Sequence, residues 1–174
     1  MKRFSYFLLF PLLILLAYVQ IIVMPTIKLI NGHADIFLIF VIAWALQEKG
    51  LPVWFPAIVG GLIISLVSAV PLFIPMVIYL FITLFARLIR SRIWQMPILA
   101  MLTTTLVGSL LSAILTLLVL QFNGYNLPWR LTMNSVILPS TLLNLMLSLP
   151  VYLLVTDFGQ FALVWANPVE QNRT

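Results

Sequence analysis

Residues 72–122 read LFIPMVIYLFITLFARLIRSRIWQMPILAMLTTTLVGSLLSAILTLLVLQF, two long apolar runs divided by a short segment that holds Arg87, Arg90 and Arg92. Each run is near the length of about 20 mostly apolar residues that a helix needs to cross a bilayer. Arginines crowded between two such runs are a topology signal, because basic residues in short loops stay on the cytoplasmic side. The rest of the chain repeats the pattern. Of 174 residues, 63% are hydrophobic and 7% charged, with a mean hydropathy of +1.18. Soluble globular domains carry charge on roughly a quarter of their residues, so this composition belongs to an integral membrane protein.

Working outward from that stretch, six apolar runs emerge. The first extends from Phe4 to Met24 behind Lys2 and Arg3. It exceeds the ~7 to 15 residues of a signal-peptide core and shows no small-x-small cleavage site after Tyr18, so it reads as an uncleaved span with a kink at Pro11. The second, Ala34 to Gln47, follows a turn signal at Asn31-Gly32 and is short, which leaves a re-entrant segment open beside a full crossing. The third runs from Trp54 to Pro71, with Pro56 in its first turn, and the fourth from Leu72 to Ile89. Pro97 opens the fifth, which ends at Phe122, and residues 123–130 form an interfacial turn before a sixth run from Asn134 to Thr156. Residues 157–174 read as a short cytoplasmic or interfacial tail, with Phe158, Phe161 and Trp165 on the membrane surface. The expected fold class is therefore an all-α polytopic membrane protein of six transmembrane helices, forming a single domain over 1–174.

Counting basic residues orients it. With six crossings and the N-terminus inside, Lys2, Arg3, Lys49, Arg87, Arg90, Arg92 and Arg173 lie inside and only Lys28 and Arg130 outside. If the second run failed to cross, the three arginines would face outward, against the positive-inside rule. Both termini are expected in the cytoplasm.

The inventory of reactive groups is thin. There is no cysteine, the acids are Asp35, Glu48, Asp157 and Glu170, the one histidine is His33, and all of them fall at or beyond the ends of the apolar runs. No general acid/base pair can then be assembled inside the membrane. Phosphate-binding loops, dinucleotide glycine motifs and metal-ligand spacings are likewise missing from the sequence. The expectation is no enzyme, no catalytic residue, no metal and no cofactor. The net charge of +5 comes from residues at helix ends rather than from a patch that could track nucleic acid. Asp35 is placed to cap the second helix, with an outer-surface contact for the His33–Asp35 pair as the alternative.

Three runs carry small or polar residues every fourth position: Ala57, Gly61, Ser65 and Ala69; Thr104, Gly108, Ser112 and Thr116; Ser140, Asn144 and Ser148. Four-residue spacing puts each set on one helix face, where close backbone approach and interhelical hydrogen bonds drive association in lipid. Internal packing accounts for most such stripes, and a docking face for a foreign helix is the sharper reading. The widest face, Gly60, Gly61, Ser65, Ser68 and Ala69, is the candidate for a partner helix. Asn144, Ser148 and Ser112 are candidates for interhelical polar contacts, and Arg87, Arg90 and Arg92 for cytoplasmic lipid or partner contacts.

An uncleaved first span, a second entered through Ala34-Asp35-Ile36, a third reading Gly60-Gly61-Leu62-Ile63-Ile64-Ser65-Leu66-Val67-Ser68, an arginine-bearing loop and a last span reading Leu142-Leu143-Asn144-Leu145-Met146-Leu147-Ser148-Leu149-Pro150-Val151-Tyr152 together resemble the MreD family of rod-shape-determining membrane proteins. The likeness covers most of residues 34 to 156 and is one of size and pattern. It implies a non-enzymatic scaffold of the cell-elongation machinery in the bacterial inner membrane. Such a scaffold binds the transmembrane helix of an MreC-like single-span protein and links it to the MreB cytoskeleton and to wall synthases; self-association is also compatible. The same family is similar in fold to the S components of energy-coupling-factor transporters. That likeness supplies a second reading, a vitamin-binding transport subunit with an outward cavity near His33, Tyr125 and Trp129. An assembly factor of another membrane complex is a third.

Overall fold

Helices form along every apolar run, but their lengths are unequal. The computed structural model describes residues 2–47, 53–68, 70–71, 73–92 and 96–166. Helix α1 covers Lys2–Tyr18 and continues through a π turn at Val19–Val23 into a 3-10 turn at Met24–Thr26. A short antiparallel hairpin follows, β1 (Lys28–Leu29) paired with β2 (Gly32–His33). Then come α2 (Ile36–Ala45), α3 (Trp54–Val67), α4 (Ile74–Arg92), α5 (Pro97–Phe122), α6 (Trp129–Thr132), a second π turn at Met133–Ile137, and α7 (Leu138–Ala166). Four helical stretches, Leu9–Thr26, Ile74–Arg92, Pro97–Phe122 and Trp129–Gly159, are long and apolar enough to cross a membrane, whereas α2 and α3 are apolar but shorter. The chain is thus an all-α, multi-pass membrane protein.

Several boundaries differ from the sequence reading. The last helix does not stop at Thr156 but runs on to Ala166, so residues 157–166 prolong α7 instead of forming a separate tail. Arg87, Arg90 and Arg92 sit in the final turns of α4 and not in a loop. The turn expected at Asn31-Gly32 is a hairpin that reverses at Ile30 and Asn31, with Ile30 at φ 59° and Gly32 already in the returning strand. Glu48, Lys49, Ala69, Glu170 and Arg173 lie outside the described residues.

Helix α2 is the axis of the packing. Its ten residues rise only about 15 Å, half the thickness of a hydrocarbon core, and Phe37 through Ala45 are all buried. A helix that is apolar on every side has to be enclosed on every side. Leu9 and Leu13 of α1, Ile78, Tyr79, Ile82 and Ala86 of α4, and Ala100 and Met101 of α5 join it in one core. Aromatic contacts run along it, from Phe40 to Trp44 at 5.6 Å and from Trp44 to Phe158 of α7 at 6.3 Å between ring centroids.

The small-residue face of α3 is consumed by this packing. A Cβ on Gly61 would stand 2.4 Å from the Cα of Met76 in α4, and one on Gly60 would stand 2.9 Å from Cδ1 of Phe37 in α2. Ala57 and Ser65 are buried alongside, and Ser65 turns its hydroxyl back to the carbonyl of Gly61 at 2.6 Å. Ser68, at the end of the helix, accepts a hydrogen bond from the N–H of Val70 at 3.3 Å. The face expected to receive a foreign helix is therefore occupied at Gly60 and Gly61 by the protein's own α2 and α4, because only residues without bulk allow such close approach.

Two glycines separate backbone contact from side-chain contact. At Gly108 of α5, a Cβ would meet only the side-chain methyls Ile42 Cδ1 and Ile82 Cγ2, at 3.3 Å, which can yield. Gly61→Ala is expected to cost about 1–3 kcal/mol through overpacking, and Gly108→Ala clearly less. Thermal unfolding in detergent compares the two. Equal melting temperatures for both variants would mean that α3 and α4 are not in backbone contact.

Candidate functional site

Residues 32–35 enter α2 as extended chain alongside helices, and in a hydrocarbon interior every backbone donor must find a protein acceptor. The donors are met in sequence. The N–H groups of Asn31, His33 and Asp35 point to α7 and the turn before it, and donate to the Ser135 carbonyl at 3.1 Å, Ser140 Oγ at 3.1 Å and Asn144 Oδ1 at 2.8 Å. The two periods match. Four residues of strand advance about 13 Å, and the nine helical residues from 135 to 144 rise about 13.5 Å. The stripe Ser140, Asn144 is thus an acceptor row for an extended segment. Gly32 lets the two backbones close, since a Cβ there would fall 2.5 Å from the amide nitrogen of Ser140.

Asp35 is the hub. Its Oδ1 accepts from the N–H of Leu38 at 3.0 Å, capping α2 as the sequence suggested. Its Oδ2 accepts from the Tyr79 hydroxyl of α4 at 2.6 Å. The Ile36 N–H donates to Gln20 Oε1 at 2.8 Å, the Gln20 amide donates to the carbonyl of Ala34 at 3.4 Å, and the Ile39 N–H donates to the Asp35 carbonyl at 3.2 Å. The donors left free at a helix start are satisfied here by Gln20 in the turn after α1, by Asn144 of α7 and by the cap itself. Asp35 does begin a helix, but that beginning lies inside the bundle: Asn144 is midway along the stretch Trp129–Gly159. An ionisable group is therefore held among the long helices, contrary to the expectation that all of them sit at the ends.

Both helices that flank this clasp carry a π turn next to a proline. In an α-helix the Ser135 carbonyl would accept from residue 139, but Pro139 has no N–H to give, and Asn31 takes the place. Gln20 lies within the Val19–Val23 turn, ahead of Pro25. Such bulges re-aim a group that a regular helix would hold elsewhere. At the far end of α2, Gln47 donates to Thr156 Oγ1 at 3.1 Å. The pairs 35–144 and 47–156 have equal separation, so α2 runs parallel to α7.

The remaining candidate residues are distributed as follows. Asn144 accepts from the Asp35 N–H at the cap of α2, whereas the Ser148 hydroxyl bonds the Leu145 carbonyl of its own helix at 2.7 Å and Ser112 is half-buried on α5. Thr104 and Thr105 are buried with hydroxyls that have no partner, as is the indole N–H of Trp44. His33 is exposed and takes part through its backbone. Tyr125 borders an open depression of about 370 Å³ with Gln121, Asn126, Leu127 and Pro128, while Trp129 and His33 are not in its lining. Gln20 and Tyr79 were not anticipated. The signal was present, since a polar group in an apolar span is costly unless paired, but their partners are distant in sequence. No family model, curated protein or solved structure matches the chain.

Tyr79→Phe is expected to lower the melting temperature by removing the hydrogen bond from the Tyr79 hydroxyl to Asp35, typically about 0.5–1.5 kcal/mol in water and about 1 between membrane helices. Asp35→Asn and Tyr79→Phe act on the same bond, so the double variant should lose less than the sum of the two. Strict additivity would show that the two side chains do not interact.

Proposed function

We propose that this chain is a non-enzymatic scaffold of the bacterial cell-elongation machinery, an MreD-like protein that crosses the inner membrane six times with both termini in the cytoplasm. Its partner would be the transmembrane helix of an MreC-like protein, linked through it to the MreB cytoskeleton and wall synthases. The observation that carries this reading is the filled interior. The most buried helix, α2, occupies the centre of the bundle, and Asp35, Tyr79, Gln20 and Asn144 are engaged with one another and with the backbone. A binding subunit for a vitamin needs a deep polar cavity that holds most of its ligand, whereas the centre of this bundle is filled by apolar side chains such as Phe37, Phe40 and Trp44. Outward surface is what the molecule offers a partner.

Six alternating crossings are supported by the parallel course of α2 and α7, since a second and a sixth crossing run in the same direction. The basic count of seven inside to two outside agrees with it.

The native chain has no cysteine, which makes labelling clean. A Ser91→Cys variant should react with a membrane-impermeant maleimide only from the cytoplasmic side, and Asn126→Cys only from outside; the reverse pattern would overturn the topology. For the function, the tagged protein should co-purify with an MreC-like single-span protein expressed beside it, and riboflavin, thiamine and biotin should leave its melting temperature unchanged. Failure to co-purify, together with stabilisation by a vitamin, would favour the transport subunit.

A further inference from the structure

Helix α5 differs from the other spans in what its hydroxyl groups do. Among the described residues, a serine or threonine in a long helix commonly turns its hydroxyl back to a carbonyl of its own helix, as Ser65, Thr83, Thr141, Ser148 and Thr156 do. Those whose hydroxyls make no hydrogen bond at all are Thr104, Thr105, Ser112 and Thr116, and every one of them is on α5. Thr104 and Thr105 are sealed inside the bundle, so nothing from outside reaches them. Ser112 and Thr116 are only half-buried. They lie about 4 and 10 Å from the midpoint of α5, within the half-thickness of about 15 Å of a hydrocarbon core, where water supplies no partner.

The face that carries them changes character along its length. At Gly108 it is closed by the protein itself, since a Cβ there would meet Ile42 of α2 and Ile82 of α4 at 3.3 Å. Ser112 and Thr116 continue the same four-residue row, yet from Leu110 to Thr116 no residue is fully buried. Helix α2 runs antiparallel to α5 and begins only at Ile36, so two turns beyond the contact between Gly108 and Ile42 no turn of α2 is left to close the row.

The chemistry of the open half restricts what can cover it. Lipid tails offer no hydrogen-bonding group, and a hydroxyl left unpaired in an apolar medium costs free energy. The occupant also meets a helix without a single charge from Pro97 to Phe122, so it is itself an uncharged element within the hydrocarbon. A second copy paired through α5 about a two-fold axis would set Arg87, Arg90 and Arg92, which shortly precede Pro97, beside their own duplicates. A transmembrane helix of another chain, carrying small or hydroxyl-bearing residues at every fourth position, satisfies the hydroxyls without that repulsion.

We propose that the second half of α5 is the docking face for such a helix, and that Ser112 and Thr116 exchange hydrogen bonds with it. The site rests on the scaffold reading above and gives that reading a place of contact.

The test uses the full chain in a mild detergent, titrated with a fluorescent peptide that spans the transmembrane helix of the MreC-like protein. Ser112→Ala and Thr116→Val remove hydroxyls that hold nothing in the chain alone, so each variant should keep the native melting temperature. Each should weaken peptide binding about threefold and the double variant about sevenfold, the worth of one and of two hydrogen bonds between membrane helices. Val107→Ala, on the opposite and exposed side of α5, should leave the affinity unchanged. Equal binding to the native protein and the double variant would overturn the site and leave the scaffold reading standing, whereas a peptide that binds neither would overturn both. A melting temperature lowered by the double substitution would show that the hydroxyls serve the fold and would equally overturn the site. So would differently tagged copies of the chain that co-purify with each other and part in the double variant, because the face would then belong to a second copy.

Discussion

A bilayer interior contains no water to hydrogen-bond an unpaired backbone, and this chain nevertheless sends an extended segment, residues 32–35, in among its helices. Most of the architecture follows from meeting that demand. The acceptors must be spaced like a strand's alternate donors, and the Ser135 carbonyl, Ser140 and Asn144 provide that spacing on one side of the last helix. Gly32 has to lack a side chain so that strand and helix can touch. Proline at position 139 removes a donor that would otherwise compete for the first acceptor. The carboxylate of Asp35 then converts the end of the extended segment into the start of α2, and Tyr79 ties that junction to α4.

A short helix placed this way becomes a plug. Because α2 is surrounded, the small residues of α3 and α5 that the sequence displays so openly serve to bring those helices against it and against α4, at Gly60, Gly61 and Gly108. The polar groups are turned inward for the same reason. What faces the surroundings is largely aliphatic and aromatic, from Phe10 and Leu15 on α1 to Leu153 and Leu154 on α7, with charge gathered at the end of α4.

The extent of the long helices could be read directly from the sequence. For α5 both ends were legible, because Pro97 suits the first position of a helix and Asn123-Gly124 supplies the turn that closes it. The end of α7 was not, since Asp157 reads as a boundary, although a single exposed carboxylate on a helix already held by Val155 and Phe158 does not stop it. The cap at Asp35 was readable because it is local. Its bonds to Tyr79, Asn144 and Gln20 were not, because isolated polar residues in different spans give no indication of which will meet. The four-residue stripes were visible, but sequence gives each the same appearance whether it packs inward or receives a visitor. Only the distance from Gly61 to Met76 decides between them.

The parallel pairing of α2 with α7 has a consequence for the order of assembly. The acceptors for the segment before α2 belong to Ser135, Ser140 and Asn144, and the fastening of its far end belongs to Thr156. All are made more than a hundred residues later. A ten-residue helix too short to cross by itself, preceded by chain with unmet donors, has no settled place in lipid until then. The nascent protein must keep its second segment at the membrane surface or in the care of the insertion machinery, and the last helix acts as the bolt that closes the structure. Assembly therefore cannot proceed helix by helix from the N-terminus, and a chain interrupted before α7 would be left with its innermost element outside.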